Sequence, residues 1–291
     1  MHRVLRRPRP PLLLALLCLG ALAATGVLAK LVPVTQQGDA RTLNGFLDLN
    51  GPQLSPVLNA IAHLADPAPY ALVGLVLALV ALARGRWRVA LLIPVVFVVS
   101  GATTEALKLV LASQRADEWL GPHSHIGAAS WPSGHSTAAM TMALCAVLAA
   151  PPRLRPTVAA LGAAFALAIA YAILTLGWHF PSDVFGGYLV AATYVLFGIS
   201  AVAAADRRWP TRRGAEAVTH PVDVVPAVGV ALLAGGAAIG LAIARPHALL
   251  GYAATHTTFV AGAVAIALLA TALAGVMATG FRASRAPAGQ P

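Results

Sequence analysis

The sequence predicts an all-α protein, a polytopic bundle of transmembrane helices, on three observations. Its 291 residues are 58% hydrophobic and only 10% charged, where soluble domains are roughly 45–50% and about 25%. That balance excludes a soluble globular domain, and it excludes disorder, which needs low hydrophobicity. Second, eight apolar runs approach the length that a hydrocarbon core about 30 Å thick demands of a helix. Third, the basic residues alternate from one inter-run segment to the next. Helices are the expected elements because an open sheet edge cannot satisfy its backbone in lipid.

The runs are Pro11–Ala29, Ala68–Ala83, Val89–Ala112, Pro132–Ala150, Thr157–Trp178, Val184–Ala205, Val225–Ala244 and Thr257–Thr279. The first follows Arg3, Arg6, Arg7 and Arg9, and with the small residues at Ala23–Ala24 it also suits a cleaved signal peptide. Its apolar character continues almost to Val34, and its removal would leave an odd number of spans, so it is expected to stay as a membrane helix. Ala68–Ala83 is the shortest run. Glycines scattered through the runs suit close helix packing in lipid. Cys18 and Cys145 lie inside apolar runs and define neither a disulfide framework nor a metal quartet.

The chain carries 20 Lys+Arg against 10 Asp+Glu, a formal charge of +10. In a soluble protein this would suggest nucleic acid; here its placement speaks of topology. Fifteen basic residues fall on one side of the runs and five on the other. By the positive-inside rule both termini are expected in the cytoplasm, in the cell membrane, with no nucleic-acid partner.

Four places break the apolar pattern, all on the side opposite the basic loops. Lys108 and Arg115, seven apart late in the third run, would lie nearly on one helical face. They suit either anion binding or snorkelling at a helix end, and Glu105 can pair with Lys108. Trp131-Pro132-Ser133-Gly134-His135 precedes a long apolar helix, with Pro132 suited to its first turn. Free N–H groups at a helix N-terminus form a ready anion site, beside which His135 could donate a proton. A plain loop with a chance histidine is the alternative. In Gly177-Trp178-His179-Phe180-Pro181-Ser182-Asp183, the i,i+4 spacing lets Asp183 fix the tautomer of His179 and leave its other nitrogen as nucleophile or base. Ser182 and Asp183 alternatively cap a helix. His123-Ser124-His125 lies in the loop between the first two sites; with no Cys or Glu to complete a ligand set, no metal site is expected.

Taken in order and on one face, these residues resemble the type 2 phosphatidic acid phosphatases, which share a fold and motifs with vanadium haloperoxidases. That family's pattern is Lys-x6-Arg-Pro, then Pro-Ser-Gly-His, then Ser-Arg-x5-His-x3-Asp. Lys108 and Arg115 match the first motif, Pro132–His135 the second in full, and His179 with Asp183 the end of the third. The resemblance covers roughly residues 89–205. The proline after Arg115 is replaced by Ala116, and the Ser-Arg of the third motif falls on Ala172-Ile173, so one phosphate-binding arginine is missing.

The resemblance implies a six-helix core over residues 1–205, while the runs and charges place a basic cytoplasmic loop over 206–224 and two additional transmembrane helices with a short cytoplasmic tail in 225–291. It implies an integral membrane phosphatase, without cofactor, acting on a lipid phosphate or diphosphate at the extracytoplasmic face. His179 would attack phosphorus, Asp183 would orient it and His135 would protonate the leaving oxygen, with Lys108, Arg115, Ser133 and Gly134 binding phosphate. Phosphatidic acid, phosphatidylglycerol phosphate and polyprenyl (di)phosphates fit equally, and the oligomeric state stays open. The alternative is a weakly active or non-catalytic lipid-phosphate binder, because Ile173 stands in the arginine position. A transporter would place ionisable residues near the midplane of several spans.

Overall fold

The structure, a computed structural model, describes residues 7–115, 120, 126–210 and 246–280. These residues form ten α-helices and no strand. In chain order they are α1 (Arg9–Leu31), α2 (Pro33–Leu47), α3 (Ser55–Ala62), α4 (Pro67–Ala83), α5 (Trp87–Val110), α6 (Gly134–Ala149), α7 (Arg155–Thr175), α8 (Pro181–Arg208), α9 (Pro246–Thr255) and α10 (Thr257–Gly280), with a 3-10 turn at His63–Ala65. Proline opens α2, α4 and α8, where its missing N–H is no loss and its fixed φ suits the helix.

Five helices are long and apolar enough to cross a membrane: α1, α5, α7, α8 and α10. The run expected at Ala68–Ala83 is α4, and α3 with its 3-10 turn meets it at a bend of 48°. This broken pair could form a sixth span. The run expected at Pro132–Ala150 is α6, only 16 residues long and so about 24 Å at 1.5 Å per residue. It is buried along almost its whole length by α5, α7 and α8. The apolar character of that run thus suits its central position among the other helices. The run expected at Val225–Ala244 lies outside the described residues, as does most of the basic loop before it.

No apolar run covers residues 33–65, where α2 is too polar to register as a span. This helix lies between α1, α7, α8 and α10. Its seat on α10 is close: Thr42 donates to the Thr258 carbonyl at 3.2 Å, and Phe46 meets Phe259 edge-on with ring centroids 4.7 Å apart. Gly45 and Gly262 lie so near Phe259 and Thr42 that a Cβ on either would fall 2.4 Å from a side-chain carbon. Tyr252 of α9 donates to the Gly45 carbonyl at 2.5 Å. Further along, α10 buries Ile266, Ala270, Ala274 and Met277 in the same hydrophobic core as α6 and α8.

Candidate active site

Ser133 begins the central helix as its N-cap. Its backbone is extended and its hydroxyl accepts from the Ser136 N–H at 3.2 Å. Pro132 therefore stands one place ahead of the helix and not in its first turn as expected, because the serine takes the capping position. The Ser133 N–H donates to the Asp183 carbonyl at 2.9 Å. That group was expected to serve phosphate and is committed instead. The N–H groups of Gly134 and His135 have no partner among the described residues, as the first turn of a helix dictates.

Lys108, in the last turn of α5, brings its Nζ 3.3 Å from the point where a side chain on Gly134 would begin. It also donates to Glu105 at 2.8 Å, the pairing their spacing allows. Arg115 does not share its helical face. The helix ends at Val110, and the following strip is held by Ser113 N–H donating to the Ala128 carbonyl at 3.1 Å. This turns Arg115 inward, where its side chain is buried against Asp183. It donates to the Oγ atoms of Ser130 and Ser182, both at 3.0 Å, and its guanidinium sits over the Phe180 ring at 4.6 Å. Asp39 lies 3.7 Å away. The guanidinium expected to face an open phosphate site is thus bound to buried carboxylates, whose desolvated charge it neutralises.

His179 owes its place to the end of α7. Gly177 adopts φ of 73°, the Gly177 N–H donates to Leu174 and the Trp178 N–H to Ile173, at 3.0 and 2.9 Å. This left-handed reversal, which glycine makes without strain, carries the chain directly into α8. In the first turn of α8, Asp183 Oδ2 accepts the Phe180 N–H at 3.0 Å and faces His179 Nδ1 at 3.3 Å. Its other oxygen takes Arg115. Asp183 is therefore both a helix cap and the partner of the histidine, and Nε2 of His179 is left for chemistry. The rings of His135 and His179 face each other with centroids 6.5 Å apart.

Two acidic site residues were not singled out in the sequence. Asp39, on α2, accepts from the Ser182 N–H at 2.9 Å and from its hydroxyl. Burial pushes the Asp39 carboxyl up to about 6, with the Asp183 charge adding to the effect while Ser182 and Arg115 oppose it. Asp66, ahead of α4, meets His135 Nε2 at 3.2 Å and His63 Nδ1 at 2.8 Å. The only signal for Asp39 and Asp66 was scarcity, since the chain has just 10 acidic residues. Ile173, in the place of the missing arginine, is wholly buried. His123 and His125 lie outside the described residues. Among the described residues no group of three or more His, Cys, Asp or Glu is arranged to hold a metal ion.

The PAP2 superfamily pattern matches residues 89–207, the stretch that carries Lys108, His135, His179 and Asp183. That stretch is less than half of the chain, and over it the sequence is similar to the PAP2 superfamily. The fold is similar to the crystal structure described as the first transmembrane PAP2 type phosphatidylglycerolphosphate phosphatase, from Bacillus subtilis. The TM-score is 0.55 at 21% identity, over 68% of this chain and 98% of that one. Five helices long and apolar enough to cross a membrane, together with this likeness of fold, suit a multi-pass membrane protein. No curated protein matches the chain in sequence.

Proposed function

We propose that this protein hydrolyses a lipid phosphate or diphosphate through a phosphohistidine on His179. The observation that carries the reading is the pair of histidines facing across 6.5 Å, one of them held at Nδ1 by Asp183, beside the free N-terminus of α6. Nε2 of His179 attacks phosphorus as the bond to the lipid oxygen breaks. His135 gives that oxygen a proton, then takes one from the water that cleaves the phosphohistidine. Lys108 and the Gly134 and His135 N–H groups hold the non-bridging oxygens, where fixed positive charge and positioning supply most of the catalysis in phosphoryl transfer. Arg115 acts from within the wall, by holding Asp183 and by its field. No metal has a role in this scheme.

The site lies at the extracytoplasmic boundary of the cell membrane, with both termini in the cytoplasm. This orientation rests on the distribution of basic residues. Phosphatidylglycerol phosphate, phosphatidic acid and a polyprenyl diphosphate are the substrates to compare. Purified protein in detergent releases inorganic phosphate from at least one of them, with and without EDTA, and His179→Ala abolishes the release. Retained turnover in that variant, or loss of turnover in EDTA, overturns the mechanism. Phosphate-lipid binding without turnover by the unaltered protein marks a non-catalytic binder.

A further inference from the structure

Asp66 occupies the N-cap of α4, where an aspartate ordinarily accepts an N–H from the second or third residue of its own helix. It makes no such bond here. In Asp66-Pro67-Ala68-Pro69 the first and third helical positions are prolines, which have no N–H to give. The carboxylate serves two histidines instead. Oδ2 takes Nδ1 of the exposed His63 at 2.8 Å, and Oδ1 takes Nε2 of the more buried His135 at 3.2 Å. Trp178 lies against both rings, at centroid distances of 6.1 and 5.4 Å.

We propose that Asp66 is a positioning residue for His135, holding its ring by Nε2 and favouring the imidazolium that donates the proton. It would do for the acid what Asp183 does for the nucleophile, with the two His–Asp pairs facing one another. The proposal rests on His135 being the acid in the reaction above. In the first half of that reaction the P–O bond to the lipid breaks, the P–N bond to His179 forms and the His135 proton goes to the departing oxygen. In the second half the P–N bond to His179 breaks as water supplies the hydroxyl that leaves with phosphate, and its other proton returns to His135. A carboxylate hydrogen-bonded to one ring nitrogen fixes the tautomer and stabilises the charged ring. The other ionisable groups facing this pair are His63 on the 3-10 turn, His179 on the turn before α8, and Lys108 with Glu105 on α5.

The test uses the full-length protein with Asp66→Asn, Asp66→Glu and His63→Gln, on phosphatidic acid and on para-nitrophenyl phosphate. The second has a leaving group acidic enough to depart without a proton. Asp66→Asn is expected to lower kcat on phosphatidic acid by about tenfold to a hundredfold, within the range that general acid catalysis supplies. KM stays nearly unchanged, and the alkaline limb of the pH profile moves about one unit lower. Turnover of para-nitrophenyl phosphate stays near that of the unaltered protein, Asp66→Glu recovers part of the loss, and His63→Gln keeps kcat. Equal losses on both substrates, or an unmoved pH profile, overturn the proposal. The reading of His179 is tested apart from this: activity surviving in His179→Ala sinks the phosphohistidine, while the comparison of leaving groups still decides the role of Asp66.

Discussion

The Ser133 N–H donates to the Asp183 carbonyl at 2.9 Å, which makes the turn that starts α6 and the turn that starts α8 one hydrogen-bonded unit. The unit closes only because residue 187 is glycine. A Cβ there would lie 2.6 Å from the Ser133 carbonyl oxygen and 2.8 Å from the Thr137 nitrogen, both backbone atoms that cannot swing away. Gly187→Ala is therefore expected to lower stability by about 1–3 kcal/mol, as overpacking does. Its kcat should fall further than that loss accounts for, on the order of a hundredfold, because a displacement near 1 Å at the reacting groups is that costly. Thermal unfolding in detergent beside phosphate-release kinetics checks both.

Arg115 is the cation of a buried cluster. Arg115→Ala leaves Asp183 without its charge partner, and the expected destabilisation is about 3–5 kcal/mol. Arg115→Lys should recover little, since a single ammonium cannot reproduce the fork that reaches Ser130, Ser182 and Asp183 together. Adding Asp39→Asn to Arg115→Ala removes one of the stranded carboxylates and should restore part of the melting temperature. Strict additivity of the two substitutions would show that Asp39 and Arg115 are not coupled.

Asp39 gives the cluster a pH dependence of definite sign. With its folded carboxyl raised to about 6 from 3.8, the folded state keeps a proton that the unfolded chain releases across that interval. Its contribution to stability is greatest below pH 4, declines as pH rises to about 6, and is flat above, on the order of 2–3 kcal/mol in all. Melting temperatures of the parent minus those of Asp39→Asn, measured from pH 4 to 8, should fall over that interval. A difference that rises or stays level contradicts the burial argument.

Restoring an arginine at position 173 is not expected to improve the enzyme. Ile173 is wholly buried, and its carbonyl already accepts the Trp178 N–H in the reversal that delivers His179. Ile173→Arg places an unpaired charge in that setting and should lower the melting temperature, with KM no better. A lower KM would show that a side chain at 173 does reach the phosphate.

Much of the candidate site was legible in one dimension because the residues proposed for its chemistry sit in short local patterns: Ser133-Gly134-His135 as a helix start, and His179 with Asp183 one turn apart. The apolar runs likewise located seven of the described helices to within a few residues. What escaped depends on tertiary placement. The seven-residue spacing of Lys108 and Arg115 implied one helical face, but the chain leaves the helix at Val110 and the buried carboxylates claim the arginine. Asp39 sits on a helix too polar to register as a span, and Asp66 is turned to His135 by a bend that no local pattern encodes. The apolar run of α6 could not reveal whether lipid or protein would surround it.

The seat of α2 on α10 reaches beyond packing. Thr42, Gly45 and Phe46 fasten to α9 and α10 the same helix that carries Asp39 to Ser182 and Arg115. A chain trimmed to residues 89–207 would keep every histidine proposed for the chemistry and lose the brace behind them. In this protein the proposed catalytic inventory and the length of chain that holds it in place are not the same.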